Sequence, residues 1–528
     1  MKKKLFISVL IVCVMVFMGC NHGNSYGIAS NALSNFGTSL SRKSAIKDKK
    51  NEVLPQKTEN SSEPTNKGQS SDTIQFGETL TKDSLKNLTS EELTIPSTVK
   101  KIEEGAFENL PNLKKLTIEE GLESIEKDAF KNSYLTEVSI PASVKTIDKD
   151  AFSGAKNISK ATIKGGTTVP AGLFKDSKNA LTSLTIGDNA KTIEAEAFKD
   201  YKNLTNLTLE EGVTSIGKDT FKGSGVQEVS IPKSVTTIEE GAFADTTSLT
   251  ELTLKEGVKT IGKKAFSNTG LTKVTIPSTV TKIDEDAFSD CKNLTEATVT
   301  TENVGIGIVL ASTLVTKVTV VGTDSKTILE KAVLSGMEER LATLIIEKSV
   351  KTIGKEAFKD YKKLQELTLK DGVTDIGNSA FALSVEGDAE LKTVIFPSTV
   401  KTIGEYAFEK RKNLTQVSFS EGLEKVKEGA FYKTGIQEVE FPKTVNEIEK
   451  EAFNNKTLSS VKVRTDERTW YAKQMIGDEW WAFNLDKAEI GGSGLDGITG
   501  YLTNGQHIMS GKEFKNHTGL KLKEEVKK

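Results

Sequence analysis

Histidine, cysteine and net charge are all scarce in this chain, and each scarcity closes off a class of function. Of three histidines, His22 lies near the N-terminus and His507 and His517 near the other end, so the long middle has none. His507 and His517 are too widely spaced for a local metal motif and have no companion thiols, so surface positions are expected. Of three cysteines, Cys13 sits inside an apolar leader and Cys20 closes it, leaving Cys291 as the one thiol in the body of the chain. No intrachain disulfide framework is available, and stability has to come from packing. Cys291 follows "AFSD", a turn position between repeats, where an ordinary thiol is expected. The 71 Lys and Arg residues are interspersed with 73 Asp and Glu, which excludes the basic footprint of a nucleic-acid binder. The glycines mark turns and form no phosphate-cradling loop. Acidic pairs such as Glu119-Glu120 and Glu239-Glu240 recur with those turns, which reads as solvated turn residues and not as paired catalytic carboxylates. No catalytic residue, metal site or cofactor is expected, and the chain is not expected to be an enzyme.

Long apolar runs are missing as well, except between Leu5 and Met18. Three lysines precede that run and Gly19-Cys20 closes it, the order of a secretory signal peptide over residues 1–20. It is too short and wrongly flanked for a membrane span. "FMGC" resembles a bacterial lipobox, with Phe17 where Leu is usual. The resemblance implies that Cys20 becomes the lipidated first residue of the mature protein; an ordinary cleaved signal is the alternative. Residues 21–77 are rich in Ser, Asn and Lys and lack apolar periodicity. Such a segment cannot offset its ordering entropy, and a disordered tether is expected.

What the chain has in abundance is repetition. Phe107, Phe130, Phe152, Phe174, Phe198, Phe221, Phe243, Phe266 and Phe288 recur mostly 22 to 24 residues apart. Leu310 and Leu334 keep the interval through a degenerate stretch, and Phe358, Phe381, Phe408, Phe431 and Phe453 resume it. Sixteen units result, with one long step between Phe381 and Phe408 around the insertion "SVEGDAE". A period in the twenties predicts stacked supersecondary units that share one continuous core over residues 78–463. Within a unit such as "LTELTLKEGVKTIGKKAF", Leu252 and Leu254 alternate with polar neighbours as a short strand. Gly257 turns the chain, and Ile261 and Ala265-Phe266 return to the core. In other units the turn is Ile-Pro, as at Ile140-Pro141, Ile231-Pro232 and Ile276-Pro277, where proline suits a bend leaving the ladder.

This pattern, L-x-x-L-x-L-x-x-G-V-x-x-I-x-x-x-A-F, resembles the BspA-type leucine-rich repeat of bacterial surface proteins from about Leu93 to Val463. The resemblance implies a right-handed leucine-rich-repeat solenoid, with a parallel β-sheet on one face and mostly irregular or short-helical connections on the other. Residues 301–350 depart furthest from the pattern, and local irregularity is expected there. The resemblance further implies an adhesin or protein-interaction module of the bacterial cell envelope, lipid-anchored at the cell surface or outer membrane. Its partners would be host extracellular-matrix proteins of the fibronectin kind, or other cells. A structural spacer without a specific ligand is the alternative.

In a one-sided sheet, the residue between two inward positions faces solvent. That position carries Thr94, Thr117, Ser139, Thr162, Thr185, Thr208, Ser230, Thr253, Thr275, Thr298 and Thr319, then Ile345, Thr368, Ile395, Ser418, Glu440 and Lys462. Strand propensity alone favours threonine here. The same row is also a flat, low-charge face able to hydrogen-bond an extended partner, and Thr117 to Thr319 are its candidate binding residues. Residues 464–528 change grammar and hold Trp470, Trp480 and Trp481. A helix starting at "DERTWYAKQM" with Asp466 as its cap, followed by a strand at "AEI", would close the last open layer. "TNGQ" suits a hairpin turn.

Overall fold

A computed structural model describes residues 74–463 except 325–326, 388, 443, 446, 450, 456 and 459. Beyond these it describes the short strands Tyr471–Lys473, Glu489–Gly491, Gly500–Tyr501 and Ile508–Met509. Cys20, His22, Asp466, the three tryptophans, His507 and His517 lie outside the described residues.

The units open with strands of three to five residues, most of which pair in parallel with the units before and after, Leu184 with Leu207 and Thr185 with Thr208 for example. The inward residues bury and the middle one does not, as period-two alternation requires. The expected solenoid is the fold observed, and the irregular stretch holds the short helices Ile306–Ala311 and Lys331–Leu334.

The Phe positions form the opposite wall of the core. Phe198, Phe221, Phe243 and Phe266 stack at centroid distances of 5.6, 5.2 and 5.4 Å, and Leu310 and Leu334, which keep the same interval in sequence, are buried as well. Backbone bonds hold this column too. The Phe243 N–H donates to the Ala265 carbonyl of the next unit at 2.7 Å, and Phe221 to Ala242 at 2.8 Å. The strands donate backward along the array and these turns donate forward, so buried backbone groups in both are satisfied.

The isolated Ile of each unit sits in a second parallel ladder that periodicity does not reveal. Two-residue strands such as Thr237–Ile238 and Thr260–Ile261 pair from unit to unit. The C-terminal segment continues both ladders. Tyr471–Lys473 pairs in parallel with Glu447–Glu449, and Glu489–Gly491 with Ser460–Lys462. The helix expected from "DERTWYAKQM" is therefore corrected at Tyr471–Lys473: an open ladder offers backbone partners in register, and these override local propensity. The strand expected at "AEI" is present, and Gly500–Tyr501 pairs antiparallel with Ile508–Met509 around "TNGQ".

Proline sets where the main ladder opens. In ordinary units the N–H just past the strand donates to the last strand carbonyl of the preceding unit, as Glu119 does to Ile95 at 3.0 Å and Lys370 to Ile346 at 3.0 Å. Pro141, Pro232, Pro277, Pro397 and Pro442 occupy that place and have no donor. At the first two of these boundaries one rung survives, Lys115 with Glu137 and Asn206 with Glu228. At the other three the strands are not paired. On the other side each proline-ended strand pairs along its length, as Thr393–Phe396 does with Gln416–Phe419.

Besides the forward turn bonds, two devices bridge the five openings. The N–H of Gly121, Gly212, Gly257, Gly372 and Gly422 donates across the boundary to the hydroxyl of Ser143, Ser234, Thr279, Thr399 and Thr444, at 2.8 to 3.1 Å. The second ladder is also unbroken at all five. Its own two gaps, Ile147 to Thr168 and Ile283 to Ile328, fall where the main strands are fully paired.

Candidate interaction face

The predicted hydroxyl row is assembled by the ladder register: Thr94 lies beside Thr117, Ser139 beside Thr162, Thr162 beside Thr185, and Ser230 beside Thr253. Thr275, Thr298 and Thr319 continue it. Thr162, Thr185, Thr298 and Thr319 are half-buried, and the remaining candidates are exposed. Ile345 and Ile395 interrupt the row.

A second hydroxyl row, just before each strand, makes a useful contrast. Thr136, Ser159, Thr182 and Thr205 each donate to a carbonyl of the preceding unit, at 3.1 to 3.4 Å. That row is structural. The hydroxyls from Thr117 to Thr319 on the sheet face make no hydrogen bond with another described residue, so their hydrogen-bonding capacity is free for a partner or water.

The charges beside them cancel. Lys115 meets Glu92 at 3.2 Å, Lys160 meets Glu137 at 3.6 Å, Lys273 meets Glu251 at 3.8 Å and Lys317 meets Glu296 at 3.2 Å. Exposed pairs of this kind add at most about 1 kcal/mol each. Their effect is to leave the face neutral and free of any single-sign stripe.

Three side-chain roles escape sequence reading. The turn carboxylates are more than solvated: Glu120 accepts the N–H groups of Ala142 and Ser143, and Glu256 those of Ser278 and Thr279. Burial pushes the Glu256 carboxyl up, but these donors outweigh it and hold the group below the usual carboxylate range. Glu119 likewise accepts from the Ser97 N–H at 3.0 Å. Cys291 is buried under its turn, donating to the Phe266 carbonyl at 3.1 Å, and burial pushes its thiol up, away from the reactive thiolate. Arg411, just past the long step, is fully buried and donates to the carbonyls of Phe381 and Tyr361. Burial lowers its guanidinium to about 10, so it stays charged at neutral pH. Among the described residues no cluster of His, Cys, Asp or Glu could hold a metal ion.

Stacked strands, a shared leucine and phenylalanine core and a free sheet face define a leucine-rich-repeat solenoid. The family profile described as "BspA type Leucine rich repeat region" matches residues 78–179, 167–295 and 328–462, and the chain belongs to that family. Its fold is a protein-interaction scaffold and not a catalytic one. Among solved structures, a leucine-rich-repeat protein from Bacteroides ovatus is 22% identical, with 71% of this chain and 84% of that chain covered and a TM-score of 0.28. A leucine-rich cell-surface protein from Faecalibacterium prausnitzii is 23% identical, with coverage of 65% and 90% and a TM-score of 0.25. The pneumococcal vaccine antigen PcpA is 17% identical, with coverage of 69% and 84% and a TM-score of 0.24. No curated protein matches the chain. Family membership rests on the profile match.

Proposed function

We propose that the chain is an exported adhesin, lipid-anchored to the bacterial cell envelope through Cys20. Residues 21–77 act as its tether and the main sheet face is its binding surface. Its ligands are proteins: host extracellular-matrix proteins of the fibronectin kind, or components of other cell surfaces. One observation carries the choice of face. Its hydroxyl row is unclaimed among the described residues, while the neighbouring row is consumed by the fold. A flat, neutral, hydrogen-bonding surface suits an extended protein partner, and a spacer would need only length and solubility.

Two measurements test this. Metabolic labelling with a fatty acid is expected to mark the wild type and not Cys20→Ser; equal labelling of both removes the anchor. The purified chain is expected to bind immobilised fibronectin or whole bacteria saturably. Lysines placed together at Thr208, Thr253, Thr275 and Thr298 should weaken that binding about tenfold or more, equivalent to about 1.4 kcal/mol, without changing the melting temperature. Absence of saturable binding favours the spacer. Binding indifferent to the four lysines moves the site off this face.

A further inference from the structure

The cancellation of charge along the sheet face fails at one place. In the row of first strand residues, Glu92, Lys115, Glu137 and Lys160 follow one another in register with alternating sign. Lys273, Glu296 and Lys317 alternate in the same way. Between these runs Ser183 and Asn206 carry no charge, and then Glu228 lies directly beside Glu251. Like charges side by side on one sheet face are destabilising, so the fold gains nothing from this pair. Glu251 meets Lys273 at 3.8 Å. Glu228 has no ion-pair partner among the described residues, and both carboxylates are exposed.

A trough opens at the same place. Pro232 has no N–H for the Leu209 carbonyl, and one rung, Asn206 with Glu228, joins the two strands. The units stay together through the second-ladder pairs Ser215 with Thr237 and Ile216 with Ile238. The Phe221 N–H also donates forward to Ala242 at 2.8 Å, and that of Gly212 to the Ser234 hydroxyl at 3.1 Å. The result is a depression of about 320 Å³ in the face and not a gap between units. Its floor is apolar. Leu207 and Leu209 keep 7% and 6% of their surface exposed, whereas Leu184 and Ile186 one strand earlier are at 0%. Thr208 stands on one bank, Ser230 and Thr253 on the other, and Glu228 and Glu251 at the end where the strands begin. The trough beside Glu366–Leu369 differs, because its Glu390 is already held by Lys363 at 3.2 Å and by Gln365.

We infer that the trough beside Asn206–Leu209 receives an arginine side chain of a protein partner, its stem on Leu207 and Leu209 and its guanidinium between Glu228 and Glu251. The inference rests on the sheet face being the interaction surface. The occupant has to bring an apolar stem for the floor and a positive head for two carboxylates one strand spacing apart, about 4.7–4.9 Å. Among protein groups the long basic side chains combine the two. Arginine fits better than lysine, because its planar fork carries five N–H donors and can bond both carboxylates at once. The hydroxyls of Ser230 and Thr253 remain as acceptors for N–H groups that flank the side chain. One side chain fills the site, so the partner lies across the face and no strand of it enters the ladder.

Binding of the full chain to immobilised fibronectin and to whole bacteria tests this. Glu228→Gln combined with Glu251→Gln removes both charges and keeps the side-chain shape. The double variant is expected to bind about tenfold or more weakly, with an unchanged melting temperature and a shallower decline of binding with salt. Glu137→Gln, whose carboxylate pairs with Lys160 at 3.6 Å, should bind as the wild type does. Arginine amide should compete for the wild-type chain, whereas citrulline amide, its uncharged isostere, should not at equal concentration and matched ionic strength. Binding by the double variant equal to wild type, or equal competition by the two amides, overturns the inference. If the four lysines at Thr208, Thr253, Thr275 and Thr298 still weaken binding in that case, the face remains the interaction surface and this trough is not its anchor. Absence of saturable binding by the wild type ends both readings.

Discussion

Replacing Phe243 by alanine is expected to destabilise the solenoid by about 3–5 kcal/mol, the usual range for deleting a fully buried ring. Phe243 is at 0% exposure and stacks on Phe221 at 5.2 Å and on Phe266 at 5.4 Å, nearly parallel to both. A single substitution therefore empties one layer and removes two ring contacts, each worth about 0.5–1.5 kcal/mol beyond buried area. In a linear array each unit is stabilised by its neighbours alone, so the loss cannot be spread over a globular core. Phe243→Leu is the informative companion, because Leu310 and Leu334 stand at the equivalent sequence interval in the native chain and are buried. It is expected to cost about 1.5 kcal/mol or less if volume is what matters. Urea denaturation of both variants checks this; an alanine variant within about 1 kcal/mol of the wild type would show that the column is not a principal source of stability.

The core column, the strands and the exposed row were legible in the sequence because each is written in a local pattern and repeated about once every 23 residues. The second ladder was not. A two-residue strand such as Thr260–Ile261 presents one inward side chain, too few positions for an alternation to register. Ile-Pro could be read as a bend, but not which neighbour loses its rung. That depends on donors running backward along the strands, so that Pro397 deprives Leu369 while Thr393–Phe396 pairs fully with the following unit. The bridging roles of Glu120 and Glu256 were hidden for a related reason, since their acceptors meet N–H groups 22 or 23 residues away. Tyr471–Lys473 was misread because its aromatic, helix-compatible composition is local, while the ladder that captures it is not.

The bridges across the proline boundaries make a second large effect predictable. Gly257 has φ of +141°, a conformation open essentially to glycine alone. A Cβ built there would lie 2.0 Å from the Lys233 carbonyl oxygen. The obstacle is backbone of the preceding unit, so no rotamer change can relieve it. The Gly257 N–H also donates to the Thr279 hydroxyl at 2.9 Å, which donates on to Val258 at 2.8 Å. This boundary, between Glu251–Leu254 and Lys273–Thr275, has no main-ladder pairing. The clamp and the two rungs Thr260 to Lys282 and Ile261 to Ile283 therefore carry much of the backbone connection. Gly257→Ala is expected to cost about 3 kcal/mol or more, from strain together with the displaced clamp. Because coupling between units is nearest-neighbour, the damage should appear as lost cooperativity, with unfolding separating into two transitions on either side of the boundary. Gly387→Ala is the control: its φ is not positive in the glycine-only range and the nearest atom to an added Cβ is 3.9 Å away, so a change within about 0.5 kcal/mol is expected. Differential scanning calorimetry and hydrogen exchange on the full chain distinguish the outcomes. A single transition for Gly257→Ala at the wild-type temperature would mean that the second ladder, the turn bonds and core packing suffice to join the units at this boundary, and that the hydroxyl clamp is dispensable.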